Sequence, residues 1–309
     1  MPYSEQGDIR SPRESKYCHS KDDNIKKGDT MSDHFLTCYA AFWLAIFGAV
    51  LGSFFDCLAW RRAHGESIWQ GRSHCGSCGH VLGVRDLIPV FSYLFARGRC
   101  RYCRAKIPAD ALFAELAGMT AFGLLTWKTG LVPELAMWLI LAALLLLLSL
   151  IDLHERLLPD KLLAAAAANR LIFLLLSGNV ADQFAPMLIG ALSVSVPMLL
   201  IALVMDRILG RESMGGGDIK LLFVLGLYLN WMQMLLLLFV ACILGIAAAL
   251  ATRGTSAPLQ SDSTSDAPAP DNSRTDISGI PFGPCLAAAG LFVYLWGQPL
   301  INWYAGLFY

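Results

Sequence analysis

Two aspartates lie where long apolar segments of the chain meet polar loops. Asp152 ends an apolar run, and Asp218 follows three glycines, Gly215, Gly216 and Gly217. Ionisable residues at a membrane boundary cost free energy and commonly mark a functional site. Two carboxylates that share one proton can hydrolyse a peptide bond, because one takes a proton from water while the other polarises the carbonyl. The glycines would let the backbone approach an extended substrate strand closely.

Each aspartate also has an ordinary explanation. An aspartate at a helix start is commonly a cap or a partner of the helix dipole, and one at a helix end is often only interfacial. Spacing alone does not exclude four other carboxylates from the same chemistry: Asp56, Glu155, Asp160 and Glu212.

Four cysteines form the second chemical pattern. The motif Cys75-Gly-Ser-Cys78 is separated by 21 residues from Cys100-Arg-Tyr-Cys103. Two such pairs can close tetrahedrally on one structural Zn²⁺, and the metal would supply folding energy to a loop that lacks a large apolar core. The alternatives are four reduced structural cysteines or two disulfides, and a cytoplasmic location disfavours disulfides.

Other thiols and imidazoles are assigned no chemistry. His74 and His80 flank the first cysteine pair, and we interpret them as bystanders because four cysteines complete a structural site. Most of the remaining cysteines lie in or beside apolar spans, where a free thiol behaves as a small hydrophobe.

Composition places the chain in the membrane. Hydrophobic residues make up 56% of the 309 residues, charged residues make up 16%, and the mean hydropathy is +0.52. A formal net charge of zero argues against nucleic acid as a partner. Because helices of about 20 apolar residues cross a bilayer, we predict an all-α polytopic protein with about eight transmembrane helices. The candidate spans are approximately 36–59, 109–127, 132–151, 161–178, 184–205, 218–229, 231–251 and 282–300.

The distribution of basic residues predicts the orientation of these spans. Loop 60–108 is rich in arginine, which indicates the cytoplasmic side. With eight spans, loops 152–161, 206–220 and 252–281 lie on the same side and add further basic residues. In the short loops on the opposite side, Lys128 is the only basic residue. Asp152 and Asp218 are therefore both expected at the cytoplasmic face.

The domain organisation follows from these patterns. We predict a disordered polar tail at 1–34, a first transmembrane helix at 35–59 and a small cytoplasmic zinc domain at 60–108 between helices 1 and 2. A transmembrane core at 109–300 contains a flexible loop at 254–278, and a short tail follows at 301–309.

Several short motifs occur in order over about residues 48–290. Besides the cysteine pairs, they are Gly52-Ser53-Phe54 with Arg61, Gly98-Arg99-Cys100-Arg101, Ile151-Asp152 followed by Leu158-Pro159-Asp160, Gly215-Gly216-Gly217-Asp218-Ile219-Lys220, and Pro281-Phe282-Gly283-Pro284. In this combination the chain resembles the bacterial type IV prepilin peptidases, which are aspartyl proteases of the GxGD type.

The resemblance implies a function and assigns residues to it. Asp152 and Asp218 take the catalytic positions, with Lys220 and the three glycines supporting them. The substrates would be prepilins or pseudopilins, whose basic leader is removed at the cytoplasmic face of the bacterial inner membrane. Many members also methylate the new N-terminus from S-adenosylmethionine, an activity associated with the large cytoplasmic loop, where Gly98 lies.

One position departs from the family pattern. The family usually has Gly-Ser-Phe-x-Asn after the first span, whereas this chain has Asp56 in place of the asparagine. A third carboxylate could affect proton sharing in the catalytic pair or contact the basic leader.

Other classes of protein remain as alternatives. The chain could be a peptidase without methyltransferase activity, a noncatalytic assembly factor of a pilus or secretion machine, or a proton-coupled transporter. A transporter would more naturally place its carboxylates near the bilayer midplane within repeated halves, and neither feature is visible. The sequence does not identify the particular pilin or the oligomeric state.

Overall fold

The computed structural model describes residues 12–65, 67, 73–75, 77–83, 86, 88–107, 109–210, 214–253 and 281–307, with side chains from residue 34 onward. Its regular elements in these ranges are helices, and extended backbone pairs only at two isolated bridges near the cysteines. The helices are α1 Pro12–Ala63, α2 Phe91–Phe95, α3 Asp110–Thr129, α4 Pro133–Glu155, α5 Asp160–Leu176, α6 Val180–Leu209, α7 Gly216–Gly226, α8 Trp231–Arg253, α9 Gly283–Phe292 and α10 Gln298–Ala305, with a π-helical turn, Val293–Gly297, joining the last two.

Five helical stretches are long and apolar enough to cross a membrane. The prediction of an all-α protein with several apolar spans is therefore confirmed. Each of the eight segments predicted from sequence falls on its own helical stretch, but α3, α5 and α7 are not among the five, so the count of eight stays a prediction. The five stretches are His34–Ala63, Pro133–Glu155, Val180–Leu209, Trp231–Ala251 and Gly283–Ala305.

Two of the predicted domain boundaries differ from the ends of the helices. Helix α1 begins at Pro12, within the segment 1–34 that the sequence indicated as a polar tail. At the other end, α10 continues to Ala305, past the predicted core boundary at residue 300. The predicted flexible loop 254–278 lies outside the described residues.

The centre of the bundle is built from α4, α7 and α9. Their inward faces carry fully buried side chains such as Leu145, Leu222 and Leu286. Helix α4 is started by Pro133, whose missing N–H costs nothing at the first helical position. Helix α7 has only 11 residues and begins within the triple-glycine motif. The central helices therefore bring the end of α4 and the starts of α7 and α9 into one layer.

A polar cluster inside the bundle fixes the far end of α7. Arg170 Nε donates a hydrogen bond to the Leu227 carbonyl at 3.0 Å, and Asn169 Nδ2 donates to the Tyr228 hydroxyl at 3.0 Å. The Tyr228 hydroxyl in turn donates to the Ala166 carbonyl at 2.7 Å. Backbone carbonyls freed at a helix end need hydrogen-bond partners in an apolar setting. Side chains of α5 supply such a partner at the break between α7 and α8.

Small residues let neighbouring backbones touch. A Cβ placed on Gly118 of α3 would clash with the Gly48 carbonyl of α1, and one on Gly48 would clash with the Gly118 carbonyl. A Cβ on Gly226 of α7 would lie 2.5 Å from the Ala191 Cα of α6. Such contacts are typical of membrane helices, where close packing replaces the hydrophobic driving force between helices.

The α1–α3 contact gives a stability prediction. We expect Gly118→Ala to lower the free energy of unfolding by about 1–3 kcal/mol, because the added methyl group must push the two backbones apart. Thermal unfolding of purified protein in detergent, followed by tryptophan fluorescence, measures the change. Ala117→Val adds volume at the adjacent, exposed position of the same helix and should change stability by less than about 0.5 kcal/mol. Equal destabilisation by both variants would contradict the tight-packing explanation.

Candidate active site and cysteine cluster

Asp152 lies in the last turn of α4. It is 6% exposed, and its carbonyl accepts the Arg156 N–H at 2.9 Å, which closes the helix end. Arg156 adopts the left-handed conformation, with φ of 55°, so the chain turns away sharply after the aspartate. The buried carboxylate accepts a hydrogen bond at Oδ2 from the Gly283 N–H, at 3.0 Å.

Gly283 is the first residue of α9, and its contact with Asp152 leaves no room for a side chain. A Cβ at this position would lie 2.7 Å from Asp152 Oδ2 and 3.1 Å from its Cγ. The first N–H groups of a helix have no partner inside the helix, and they carry the positive end of its dipole. The Gly283 N–H, which has no partner inside its own helix, therefore donates directly to the carboxylate.

Asp218 lies in the first turn of α7 and is partly buried. Its N–H donates to the Gly215 carbonyl at 3.1 Å, which starts the helix. Asp218 and Asp152 interact electrostatically with each other, so the structure brings the two aspartates predicted from sequence into one site. They come from elements more than 60 residues apart, at the end of α4 and the start of α7.

The three glycines before Asp218 have different surroundings. A Cβ on Gly217 would lie 3.0 Å from the Leu158 side chain in the loop after α4. A Cβ on Gly216 would have no heavy atom within 4 Å among the described residues. Packing therefore restricts Gly217, whereas the backbone at Gly216 borders open space beside the aspartates.

Two of the rival carboxylates are engaged elsewhere. Asp160 pairs with Lys220 at 2.7 Å, and both side chains are exposed. The Arg62 Nε–H is shared between the two carboxylate oxygens of Glu155, at 3.1 and 3.2 Å, which ties the end of α4 to the end of α1. The third rival, Glu212, lies outside the described residues. Lys220 is thus placed at the outer edge of the site, where it joins α7 to α5.

Asp56 has different neighbours from the other two aspartates. Its strongest electrostatic interactions are with His154, Asp110 and Glu115. Its Oδ1 atom is buried and has no hydrogen-bond partner among the described residues. The structure therefore groups Asp56 with carboxylates of α3 beside the cysteine domain.

The four predicted zinc ligands converge. The sulfur atoms of Cys75, Cys78, Cys100 and Cys103 all lie within 4.8 Å of one another, and those of Cys75 and Cys103 are 3.9 Å apart. Tetrahedral zinc with Zn–S bonds of about 2.3 Å holds its sulfurs about 3.8 Å apart. The donor set and spacing fit one zinc ion, and neither neighbouring histidine belongs to this cluster.

Two turns of the same design carry the cysteine pairs. The Cys75 N–H donates to the His80 carbonyl and the Cys100 N–H to the Ala105 carbonyl, at 2.9 and 2.8 Å. In the fourth position after each first cysteine, Gly79 and Arg104 both have positive φ, 67° and 59°. The two motifs are therefore structurally equivalent, as a shared tetrahedral site requires.

The backbone of the first turn also favours a thiolate. Hydrogen bonds from the Ser77 and Cys78 backbone N–H groups lower the pKa of Cys75 to about 6. A thiolate is the form that binds metal, so this sulfur is prepared for coordination near neutral pH.

A cavity of about 460 Å³ separates the cysteine turns from the membrane helices. It is bordered by α1, α3, the cysteine domain and His154 of α4. Tyr93 lines it, and a Cβ on Gly98 would lie 2.9 Å from the Tyr93 hydroxyl. Gly98 also has φ of 65°, so a side chain at this position would be strained and would have to displace Tyr93.

Sequence reasoning assigned no role to several residues of the site. Gly283 belongs to the motif Pro281-Phe282-Gly283-Pro284. A proline at this place is typical of the first turn of a helix, and this signal could have identified the Gly283 N–H as a free hydrogen-bond donor. The carboxylates Asp110 and Glu115 carried no such signal, because nothing local indicates that α3 faces Asp56. Arg62 lies in the arginine-rich loop 60–108, which the sequence analysis used only to orient the spans.

Comparison with known families agrees with this geometry. Residues 46–129 match the bacterial peptidase A24 N-terminal domain, which includes the cysteine turns. Residues 139–250 match the type IV leader peptidase family and include both aspartates of the site.

Curated relatives span most of the chain. A protein named prepilin leader peptidase/N-methyltransferase from Aeromonas hydrophila is 34% identical over 238 residues, covering 75% of this chain and 74% of its own length. Proteins of the same name from Pectobacterium carotovorum subsp. carotovorum and Bacillus subtilis (strain 168) are each 30% identical and cover 84% of this chain, and 95% and 96% of their own lengths. No solved structure matches the chain. The two family matches and these relatives together show that the chain belongs to the type IV leader peptidase family.

Proposed function

We propose that this protein is a membrane-embedded aspartyl endopeptidase that removes the basic leader from type IV prepilins or pseudopilins and methylates the new N-terminus. The observation that supports the peptidase most directly is the pairing of Asp152 with Asp218, with the Gly283 N–H fixing one carboxylate. The relatives' shared name, prepilin leader peptidase/N-methyltransferase, supports both activities.

In the proposed cleavage, the two aspartates share one proton and activate water. The ionised carboxylate takes a proton from water as its oxygen bonds to the scissile carbonyl carbon, and the protonated carboxyl donates to the carbonyl oxygen. The carbon–nitrogen bond then breaks as the nitrogen takes a proton, which leaves a new carboxylate and a new amine. Gly283 holds Asp152 in orientation throughout, and the open backbone at Gly216 gives room for an extended peptide.

Topology supports this substrate. We propose eight spans in a bacterial inner membrane, with the cysteine domain and both catalytic aspartates on the cytoplasmic side, as the basic loops indicate. A prepilin has a cytoplasmic basic leader and an apolar segment in the bilayer, so its cleavage site would reach the interface where α4 ends and α7 begins.

The cysteine domain is proposed to hold one structural Zn²⁺ through Cys75, Cys78, Cys100 and Cys103. Four thiolates fill a tetrahedral zinc, so no position is open for catalysis. When bound, the ion would supply folding energy to the segment between α1 and α3, and no chemical step passes through it.

The proposed methyltransferase activity requires S-adenosylmethionine. When bound, this cofactor supplies an electrophilic methyl group. The chain's own contribution is to hold the cofactor near the new N-terminus and to exclude water from it. A transporter or a noncatalytic assembly factor is not favoured, because the family and the names of the relatives describe enzymes.

Removal of either catalytic charge should abolish cleavage. We expect Asp152→Asn and Asp218→Asn each to lower cleavage of a purified prepilin by a factor of about 10²–10⁴ or more, because an amide cannot take or share the proton. Gel or mass-spectrometric assays in detergent or liposomes measure this. Asp182→Asn is the matched control: it removes only an exposed carboxylate at the start of α6 and should stay within a few-fold of wild type. Substantial cleavage by both site variants would sink the proposal.

The Gly283 contact gives a separate test. Gly283→Ala places a methyl group against Asp152 Oδ2 and should lower kcat for leader cleavage about 10- to 100-fold. Ala288→Val on the exposed face of the same helix should leave kcat unchanged. If Gly283→Ala cleaves as fast as wild type, the backbone N–H does not orient the aspartate.

Metal content tests the cysteine cluster. Purified protein should contain about one zinc per chain, and Cys75→Ser with Cys78→Ser should remove most of it, because two thiolate ligands are lost. Inductively coupled plasma mass spectrometry gives the ratio. Cys242→Ser, at an exposed cysteine outside the cluster, should keep the metal. Unchanged zinc in the double variant would reject the ligand assignment.

A further inference from the structure

The short helix α2 carries three large apolar side chains that no described part of the chain covers. Phe91, Leu94 and Phe95 are 60%, 60% and 80% exposed. Their spacing of three and four residues places them on one face of the helix. On the other face, Ser92 and Tyr93 line the cavity beside the cysteine turns. One face of α2 therefore belongs to the cysteine domain, and the other is left for an apolar partner outside the chain.

The start of α2 is attached to the membrane helices. The Val90 N–H donates to Oε2 of Glu115 on α3 at 2.6 Å, and Glu115 is buried. A Cβ on Gly52 of α1 would clash with the Ala114 carbonyl and lie 2.9 Å from the Glu115 Cα, so Glu115 is at the level of Gly52. Gly52 belongs to His34–Ala63, one of the stretches long and apolar enough to cross a membrane.

This level lies well inside α1. At 1.5 Å per residue, Gly52 is about 16 Å from the end of the helix at Ala63. Phe113 of α3, two residues before Glu115, is also exposed, so the outer surface of α3 is apolar near this level. The attachment of α2 therefore places its apolar face close to the depth at which the neighbouring helices meet lipid.

Two residues with positive φ set the direction of α2. Val90 directly before the helix has φ of 63°, and Arg97 after it has φ of 52°. Residues other than glycine rarely adopt this conformation, and it is least favourable for a β-branched residue such as valine. The chain thus turns sharply into and out of α2, which gives its exposed face a defined position.

Basic side chains follow the apolar face. Arg97 and Arg99 come directly after α2 and are exposed. In loop 60–108 as a whole, nine arginines and lysines stand against two aspartates and glutamates. Apolar side chains next to a basic surface are typical of segments that lie at a bilayer interface, where the apolar groups enter the acyl region and the cations meet anionic headgroups.

We infer that α2 docks the cysteine domain onto the cytoplasmic leaflet of the membrane that the protein spans. Phe91, Leu94 and Phe95 would lie among the acyl chains, and Arg97 and Arg99 would lie at anionic phospholipid headgroups. The inference rests on the membrane topology in the proposed function, and it does not depend on cleavage or methylation. Because the inner face of α2 lines the cavity, this docking would hold one wall of the cavity from outside.

Site-specific photo-crosslinking tests the contact. Full-length protein with p-benzoylphenylalanine in place of Phe95 is reconstituted in liposomes that mix phosphatidylethanolamine and phosphatidylglycerol, irradiated, and analysed by mass spectrometry. The control carries the same analogue in place of Tyr102, an exposed aromatic residue of the second cysteine turn. We expect lipid adducts at position 95 to be at least about 5-fold more abundant than at position 102, because only α2 enters the acyl region.

The headgroup contact is tested in the same liposomes. The share of phosphatidylglycerol among the adducts at position 95 should exceed its share of the bilayer by about 2-fold or more, because the two arginines attract anionic lipid. Arg97→Gln combined with Arg99→Gln should return this share to the bulk value while adducts still form. Arg207→Gln, at an exposed arginine near the end of α6, should leave the enrichment unchanged.

Three results would overturn the inference. They are a lack of lipid adducts at position 95, equal lipid adducts at positions 95 and 102, and replacement of the lipid adducts by prepilin adducts when prepilin is added. The last would assign the apolar face to the substrate. An unchanged share of phosphatidylglycerol in the double variant would overturn the role of the two arginines.

A catalytic variant separates this inference from the peptidase proposal. Asp218→Asn should give the same lipid adducts at position 95 as the protein with Asp218 intact, because the docking surface lies on α2. Loss of leader cleavage and loss of lipid contact are thus measured independently.

Discussion

The hydrogen bond from the Gly283 N–H to Asp152 Oδ2 is the contact on which the candidate active site depends. It joins the start of α9 to the end of α4 across 131 residues of sequence. A buried carboxylate among membrane helices needs a donor, and a helix N-terminus provides one without adding a charged side chain. The contact requires glycine, because a Cβ would occupy the same space. Helix α7 packs against α9 and carries Asp218, which interacts electrostatically with Asp152.

The last turn of α4 connects the two functional regions. Asp152 is one of the two paired aspartates, His154 borders the cavity beside the cysteine domain, and Glu155 accepts a hydrogen bond from Arg62 of α1. Four residues thus contain one of the proposed catalytic carboxylates, part of the cavity wall and an anchor to α1. Helices α1 and α3 touch through glycine backbones, and both contribute residues to the wall of the cavity. The candidate active site and the cavity therefore share the last turn of α4.

Much of this arrangement could be predicted from local sequence. The apolar segments and the four-cysteine spacing are short-range patterns whose chemistry has few alternatives. The choice of Asp152 and Asp218 over the other carboxylates came from the combination of motifs along the chain, and the structure brings these two aspartates together. The count of spans is harder, because α7 has only 11 residues and α3 carries charges at its start; neither resembles a free-standing span. The hydrogen bond between Gly283 and Asp152 depends on the packing of α9 against α4, and the grouping of carboxylates around Asp56 depends on the packing of α1 against α3. That information lies in packing between distant segments, and a single sequence does not display it.

Asp56 shows why a departure from a family pattern has to be interpreted in three dimensions. On sequence alone, a third aspartate suggests altered proton sharing in the catalytic pair, since neighbouring carboxylates repel each other and so disfavour each other's charged form. In the structure its main electrostatic neighbours are His154, Asp110 and Glu115, whereas Asp218 interacts with Asp152. The extra charge therefore belongs to the cavity near the cysteines. A substitution of Asp56 would first change the charge of this cavity, which borders the end of α4 next to the paired aspartates.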